Sequence, residues 1–217
     1  MTEQIRDQYF YKGESYLLLE NTGPDLFSPQ DFGMEPFMFH TACSCGFHAK
    51  YEITDGAIYL KELTIYDRNG RYAPIGGAVP ERANMRPDVS PKERELKKVV
   101  EDDKVFYFAD RSDGYGNHGA QYSNMNYQLP FSGIIRLGKD VDAESTIEVN
   151  ILTLVVNYAA SYKTILDIAI EQGKVVRIND RSAEMETKRR AYREALEGNP
   201  KGSRKTHACY LLQMELQ

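Results

Sequence analysis

The sequence predicts an α+β fold rich in β-structure, with antiparallel hairpins forming a sandwich or partly open barrel, one docked C-terminal helix and a smaller surface helix. Three observations predict it. Short aromatic or β-branched runs are interrupted three times by a Gly-containing turn at which the chain reverses. The longest apolar run, Ile151 to Val156, is broken by Thr153 and closed by Asn157, so it reads as a buried strand. Only two stretches carry the start and stop signals of a helix.

In chain order, the first hairpin is Ile5 to Tyr11 and Ser15 to Glu20 around Lys12-Gly13. The second is Ala49 to Ile53 and Ile58 to Tyr66 around Asp55-Gly56, and its alternation slips near Glu62, where a bulge is expected. The third is Thr164 to Glu171 and Lys174 to Asn179 around Gln172-Gly173. Its first arm also fits a helical face through Tyr158, Tyr162, Ile165, Leu166, Ala169 and Ile170, but β-branched Thr164, Ile165, Ile168 and Ile170 favour a pleated surface. Further strands are expected at Pro36 to Thr41, Val105 to Ala109, Ser132 to Leu137, Ile147 to Val156 and Cys209 to Leu216.

The surface helix is expected from Ser90 to about Asp102. Ser90-Pro91-Lys92-Glu93 supplies a capping hydroxyl, a proline where no N–H is needed, and a glutamate that bonds back. Its apolar face, Leu96, Val99 and Val100, is thin. The docked helix is expected over about Ala183 to Leu196, with Met185, Ala191, Tyr192, Ala195 and Leu196 on one side and Gly198-Asn199-Pro200 as its stop. Two long loops remain, Arg71 to Ser90 and Asp110 to Gln128, and connections of that length commonly carry function.

Composition narrows the class. With 41% hydrophobic residues, 15 Tyr and 9 Phe the chain has enough apolar area to fold, and at 217 residues it reads as a single domain, 1–217. Three Cys predict free thiols and a reducing, cytoplasmic compartment. Charges at Glu3, Arg6 and Asp7 interrupt any export signal in the opening stretch, and no run approaches the roughly 20 apolar residues of a membrane helix. The net charge of −5 disfavours nucleic acid, whose binding needs a basic face.

The stretches RDQYFYKGESYLLLE, DLFSPQDFG and FHTACSCGFHAKYEITDGAIYLKEL together resemble a group of uncharacterised bacterial proteins. LPFSGIIRLGKD and IAIEQGKVVRIND are similar to the second half of the same group. The resemblance implies a bacterial cytoplasmic origin and a largely antiparallel β fold, and it carries over no catalytic residue.

Four side chains are candidate zinc ligands: His40, Cys43, Cys45 and His48. The spacing argues against them, since Cys43 and Cys45 are separated by one residue where structural zinc sites separate paired Cys by two to four. No cofactor is predicted on this ground, with zinc kept as the alternative. A thiolate nucleophile at Cys43 or Cys45 beside a histidine is the second reading, and Cys209 reads as core. The loop holding Asp110, Asp113, Tyr115, Asn117 and His118 offers carboxylates, an amide and an imidazole to a ligand or partner, but it matches no known cation or phosphate loop.

Residues 186–205 hold seven basic and three acidic residues, so Lys188, Arg189, Arg190 and Arg193 form a candidate patch for an anionic partner. The scattered tyrosines suit core packing, a ligand cavity or a protein interface. The leading expectation is a non-enzymatic, immunity-like or regulatory domain that binds another protein, as a monomer or homo-oligomer. The alternatives are an enzyme acting on a small molecule or metal through the His40/Cys43/Cys45/His48 cluster, and a β-barrel carrier of an apolar ligand.

Overall fold

A computed structural model describes residues 4–38, 41–83, 95–108, 119–142, 159–197 and 216. Four hairpin turns organise it. At Lys12-Gly13, Asp55-Gly56, Asp102-Asp103 and Gln172-Gly173 both central residues have positive φ, the geometry whose twist matches two right-twisted strands. The three glycine-containing turns were legible in the sequence. Their strands are β1 (Gln8–Tyr11) and β2 (Glu14–Asn21), β3 (Phe47–Thr54) and β4 (Ala57–Ile65), and, after Gln172-Gly173 is set between them, β12 (Tyr162–Glu171) and β13 (Lys174–Asp180). The third arm is therefore strand, as its β-branched residues indicated. In β4, Ile58 and Leu60 are buried, Lys61 and Glu62 are half-buried, and burial resumes at Leu63 and Ile65, so the alternation slips where expected.

The fourth turn corrects the sequence reading. The helix expected from Ser90 to Asp102 is replaced over its described part by strand β7 (Lys97–Glu101), which pairs with β8 (Lys104–Phe108). Asp102 and Asp103, at φ 48° and 60°, reverse the chain in a conformation no helix interior allows. The capping signal at Ser90 is local, whereas Val99 and Val100 find strand partners in Phe106 and Val105. The strand expected at Pro36 to Thr41 is also absent among the described residues. Pro36 has no N–H to give a ladder, and it makes only one isolated bridge, to Asp67.

Between these hairpins lie the short strands β5 (Arg71–Tyr72), β6 (Glu81–Arg82), β9 (Ala120–Tyr122) and β10 (Tyr127–Gln128), and the longer β11 (Gly133–Val141). The expected loop from Arg71 is thus partly built into sheets, with Tyr72, Ala73, Ile75 and Ala83 buried. The single described α-helix, α1 (Ser182–Glu197), covers the one predicted from Ala183 to Leu196. It is not long and apolar enough to cross a membrane. The strands expected at Ile147 to Val156 and, up to residue 215, at Cys209 to Leu216 lie outside the described residues, as do Gly198-Asn199-Pro200.

The strand path runs β13-β12-β11-β2-β1-β3-β4-β9-β6, and β13 returns to β4 at Lys174 and Ala57. Seven strands thereby close into a barrel, where the sequence had suggested a sandwich or a partly open barrel. A separate sheet has the order β5-β8-β7.

Residue contacts divide the chain into two compact units. One comprises Met1–Phe10, Asp25–Thr54 and Ile58–Leu129. Its core includes Ile58, Leu60, Leu63, Ile65 and Tyr122, with Tyr9 and Tyr51 stacked at 4.9 Å. The other comprises Tyr11–Pro24, Asp55–Ala57 and Pro130–Gln217. There β11 runs antiparallel to both β2 and β12, and Ala160, Tyr162, Ile165 and Met185 pack α1 onto the sheet. Beneath the helix start, Asp167 is fully buried and accepts two bonds from Arg136, at 2.6 and 2.8 Å, and one from Arg181 at 3.1 Å. A paired carboxylate of this kind ties β11, β12 and the helix entry into one register, because any slip leaves a buried charge alone.

Candidate functional site

The second unit holds a recess of about 620 Å³ lined by Val141, Asp142, Lys163, Ser182, Glu186, Arg189 and Arg193. Its construction begins at the start of α1. The Asp180 carboxylate accepts the Ser182 N–H at 2.9 Å, the Ser182 hydroxyl oxygen accepts the Ile165 N–H at 3.0 Å, and Arg181 bonds Glu184 at 2.7 Å. The helix is thus pinned to β12. Ser182, Glu186, Arg189 and Arg193 then follow at helical spacing and share one face. The opposite wall comes from the end of β11, with Val141 and Asp142, and from Lys163 on β12.

The charges of this recess are unequal in their freedom. Arg189 is 4% exposed and fully engaged: it donates to the carbonyls of Ala160 at 3.3 Å and Tyr162 at 2.6 Å and to Glu186 at 2.9 Å, and it lies 3.7 Å from Asp142. Arg193 is exposed and gives Glu186 one bond at 3.3 Å. Lys163 is exposed and has no ion-pair partner among the described residues. The Asp142 and Glu186 carboxylates also line the recess and lie against Arg189 and Arg193, so the groups left for a ligand are the Lys163 ammonium, the remaining donors of Arg193 and the Ser182 O–H, a set suited to an oxyanion.

The basic patch read from the sequence divides accordingly. Arg189 is structural, Arg193 lines the recess, and Lys188 and Arg190 do not line it. Met185, expected on the buried face, is fully buried, whereas Ala191 is exposed and Arg189 is buried in addition; the side chains of Tyr192, Ala195 and Leu196 lie outside the described ones. Sequence reasoning missed Val141, Asp142, Lys163 and Ser182. Lys163 stands in an ordinary strand pattern, and nothing local marks it.

The sulfur and imidazole candidates do not gather among the described residues. His40 lies outside them, and no group of three His, Cys, Asp or Glu side chains placed to hold a metal occurs among those described. Residues 41–46 form turns rather than a strand, with the Gly46 N–H bonded to the Cys43 carbonyl at 3.2 Å. Cys43 is buried, and Cys45 is exposed with its thiol 2.9 Å from the Phe47 carbonyl. Burial pushes the Cys43 thiol up to about 11, and Cys45 beside it adds to the shift. That is the direction opposite to an activated nucleophile. His48 is half-buried on β3, on the face opposite Ala49, Tyr51 and Ile53. Asp110, Asp113, Tyr115, Asn117, His118 and Cys209 lie outside the described residues.

Every tyrosine whose side chain is described is buried or half-buried. The buried ones serve as core, Tyr122 for example donating to the Ala73 carbonyl at 2.6 Å. No family model, no curated protein and no solved structure matches the chain.

Proposed function

We propose that this protein is a non-enzymatic binding domain that takes up an acidic segment of another protein at the recess beside α1. The observation that carries the reading is Lys163, which has no ion-pair partner among the described residues, beside Arg193 and Ser182 at a recess whose two carboxylates, Asp142 and Glu186, already lie against Arg189 and Arg193. Charge complementarity at such a mouth chiefly sets on-rate and selectivity, and the recess gives the segment an anchor. Neutralisation of a partner, as an immunity protein performs it, is one form such binding takes. Free thiols at Cys43 and Cys45 fit a reducing cytoplasm. The recess is preferred to a tyrosine-rich sheet because most of the described tyrosines are buried, with Tyr11, Tyr59, Tyr107 and Tyr127 half-buried.

The test is fluorescence anisotropy with a labelled hexaglutamate peptide. Binding is expected to weaken about tenfold when salt shortens the screening length from about 10 Å to about 3 Å. Lys163→Glu with Arg193→Glu is expected to abolish binding. Absence of binding up to about 1 mM, or binding that both substitutions leave intact, refutes the proposal.

A further inference from the structure

The sheet β5-β8-β7 ends on β7, whose one ladder partner among the described residues is β8. Its other edge presents backbone N–H and C=O groups with no strand against them there, the arrangement to which a further strand adds. Lys97, Lys98, Val100 and Glu101 are exposed, Val100 at 62%, and Val99 is half-buried. An exposed β-branched residue of this kind on an edge is a pairing surface, whereas edge lysines ordinarily deter it.

The order of the charges resolves that opposition. In an antiparallel pairing of two copies of β7 centred on Val99, each Lys97 faces the other copy's Glu101, Val99 faces Val99, and the stem of each Lys98 lies across from Val100. The arrangement is self-complementary about a two-fold axis. A parallel pairing sets Lys97 against Lys97 and Glu101 against Glu101, and an antiparallel one centred on Lys98 sets Lys98 against Lys98. The charges therefore deter these two registers, and a register centred on Val100 would carry the pairing into the Asp102-Asp103 turn. Glu101 lies 3.6 Å from Arg71 of its own chain, on β5 across β8, so its pairing with Lys97 of the other copy competes with that contact.

We propose that a second copy of this chain pairs with β7, edge to edge and antiparallel in the register centred on Val99. A five-residue strand buries far less than the roughly 1,200–2,000 Å² of a standard interface, so the association is weak and depends on concentration.

Sedimentation equilibrium of the full chain from about 1 µM to about 1 mM tests this. The mass average is expected to rise from 24.8 kDa toward twice that value. Lys97→Glu and Glu101→Lys each set like charges opposite one another, and each is expected to weaken association about tenfold. The double variant restores the opposite-charge pairs and regains the wild-type dependence. Backbone amide exchange of residues 97–101 in the wild type, which needs no variant, slows at high concentration. A mass that stays at 24.8 kDa, single variants that associate like the wild type, or a double variant that fails to regain association overturns the proposal.

Discussion

Burial raises the Asp7 carboxyl from its ordinary 3.8 to about 6, and the Ala49 N–H bonded to it at 2.7 Å opposes the rise. The buried rings of Tyr9 and Tyr51 lie near it, and its charge helps push both their hydroxyls above the ordinary tyrosine value, after burial itself. Between about pH 4 and pH 6 the folded chain holds a proton that the unfolded chain has released. This contribution to stability is accordingly present in full below about pH 4 and lost as pH rises through about 6. Asp7→Asn keeps an acceptor for Ala49 and removes the charge. It is expected to stabilise the protein at pH 7 by about 1–2 kcal/mol, less than the full shift implies because Asp7 is partly open to solvent. The gain disappears toward pH 4. Denaturant unfolding of both proteins at pH 4, 5.5 and 7 reads the difference, and an equal gain at all three values refutes the assignment. Asp7 was unremarkable in the sequence except as a charge in the opening stretch, because its environment is made by β3 and not by its neighbours in the chain.

At the scale of elements, turn chemistry was the most legible signal. Lys12-Gly13, Asp55-Gly56 and Gln172-Gly173 each place glycine at the second positive-φ position, where the absence of Cβ removes the steric cost. Asp102-Asp103 adopts the same turn without glycine, so the pattern was hidden and the capping signal at Ser90 was read forward into a helix. Asp103→Gly relieves a side chain held at φ 60°. It is expected to stabilise by about 0.5–1 kcal/mol, measured as a rise in thermal midpoint, since the gain in the turn exceeds the added freedom of the unfolded glycine. A lowered midpoint would argue that the Asp103 side chain itself supports the turn. In α1 the periodicity placed the helix and the buried Met185 correctly but misjudged Ala191, which is exposed. Arg189 looks like a solvated charge and is instead buried on the Ala160 and Tyr162 carbonyls.

At the scale of the whole molecule, the pairings that build the sheet are distant in sequence. Asn21 on β2 pairs with Ile135 on β11, and Lys174 on β13 pairs with Ala57. Closing such loops precedes any reward from the contacts they bring, so refolding is expected on the millisecond-to-second scale of non-local β-proteins. Stopped-flow tyrosine fluorescence reads it directly, since the chain has 15 Tyr and no Trp. A microsecond phase carrying the full amplitude would refute it. The recess belongs to the same scale, because Val141, Lys163 and Arg193 come from β11, its partner β12 and the helix after β13.

The sequence by itself determined the β-rich class, the three glycine turns and the presence of the late helix, and it favoured strand over helix for residues 162–171 without deciding between them. Alternation, β-branching and a positive-φ residue act within a few positions of the chain. The tertiary structure decided the closure of the barrel, the strand at Lys97–Glu101, the burial of Arg189 and Asp167, and the convergence of Lys163, Ser182 and Arg193. Each of these depends on which surface arrives from far along the chain, and local propensity yields wherever a remote partner offers more hydrogen bonds or more buried area.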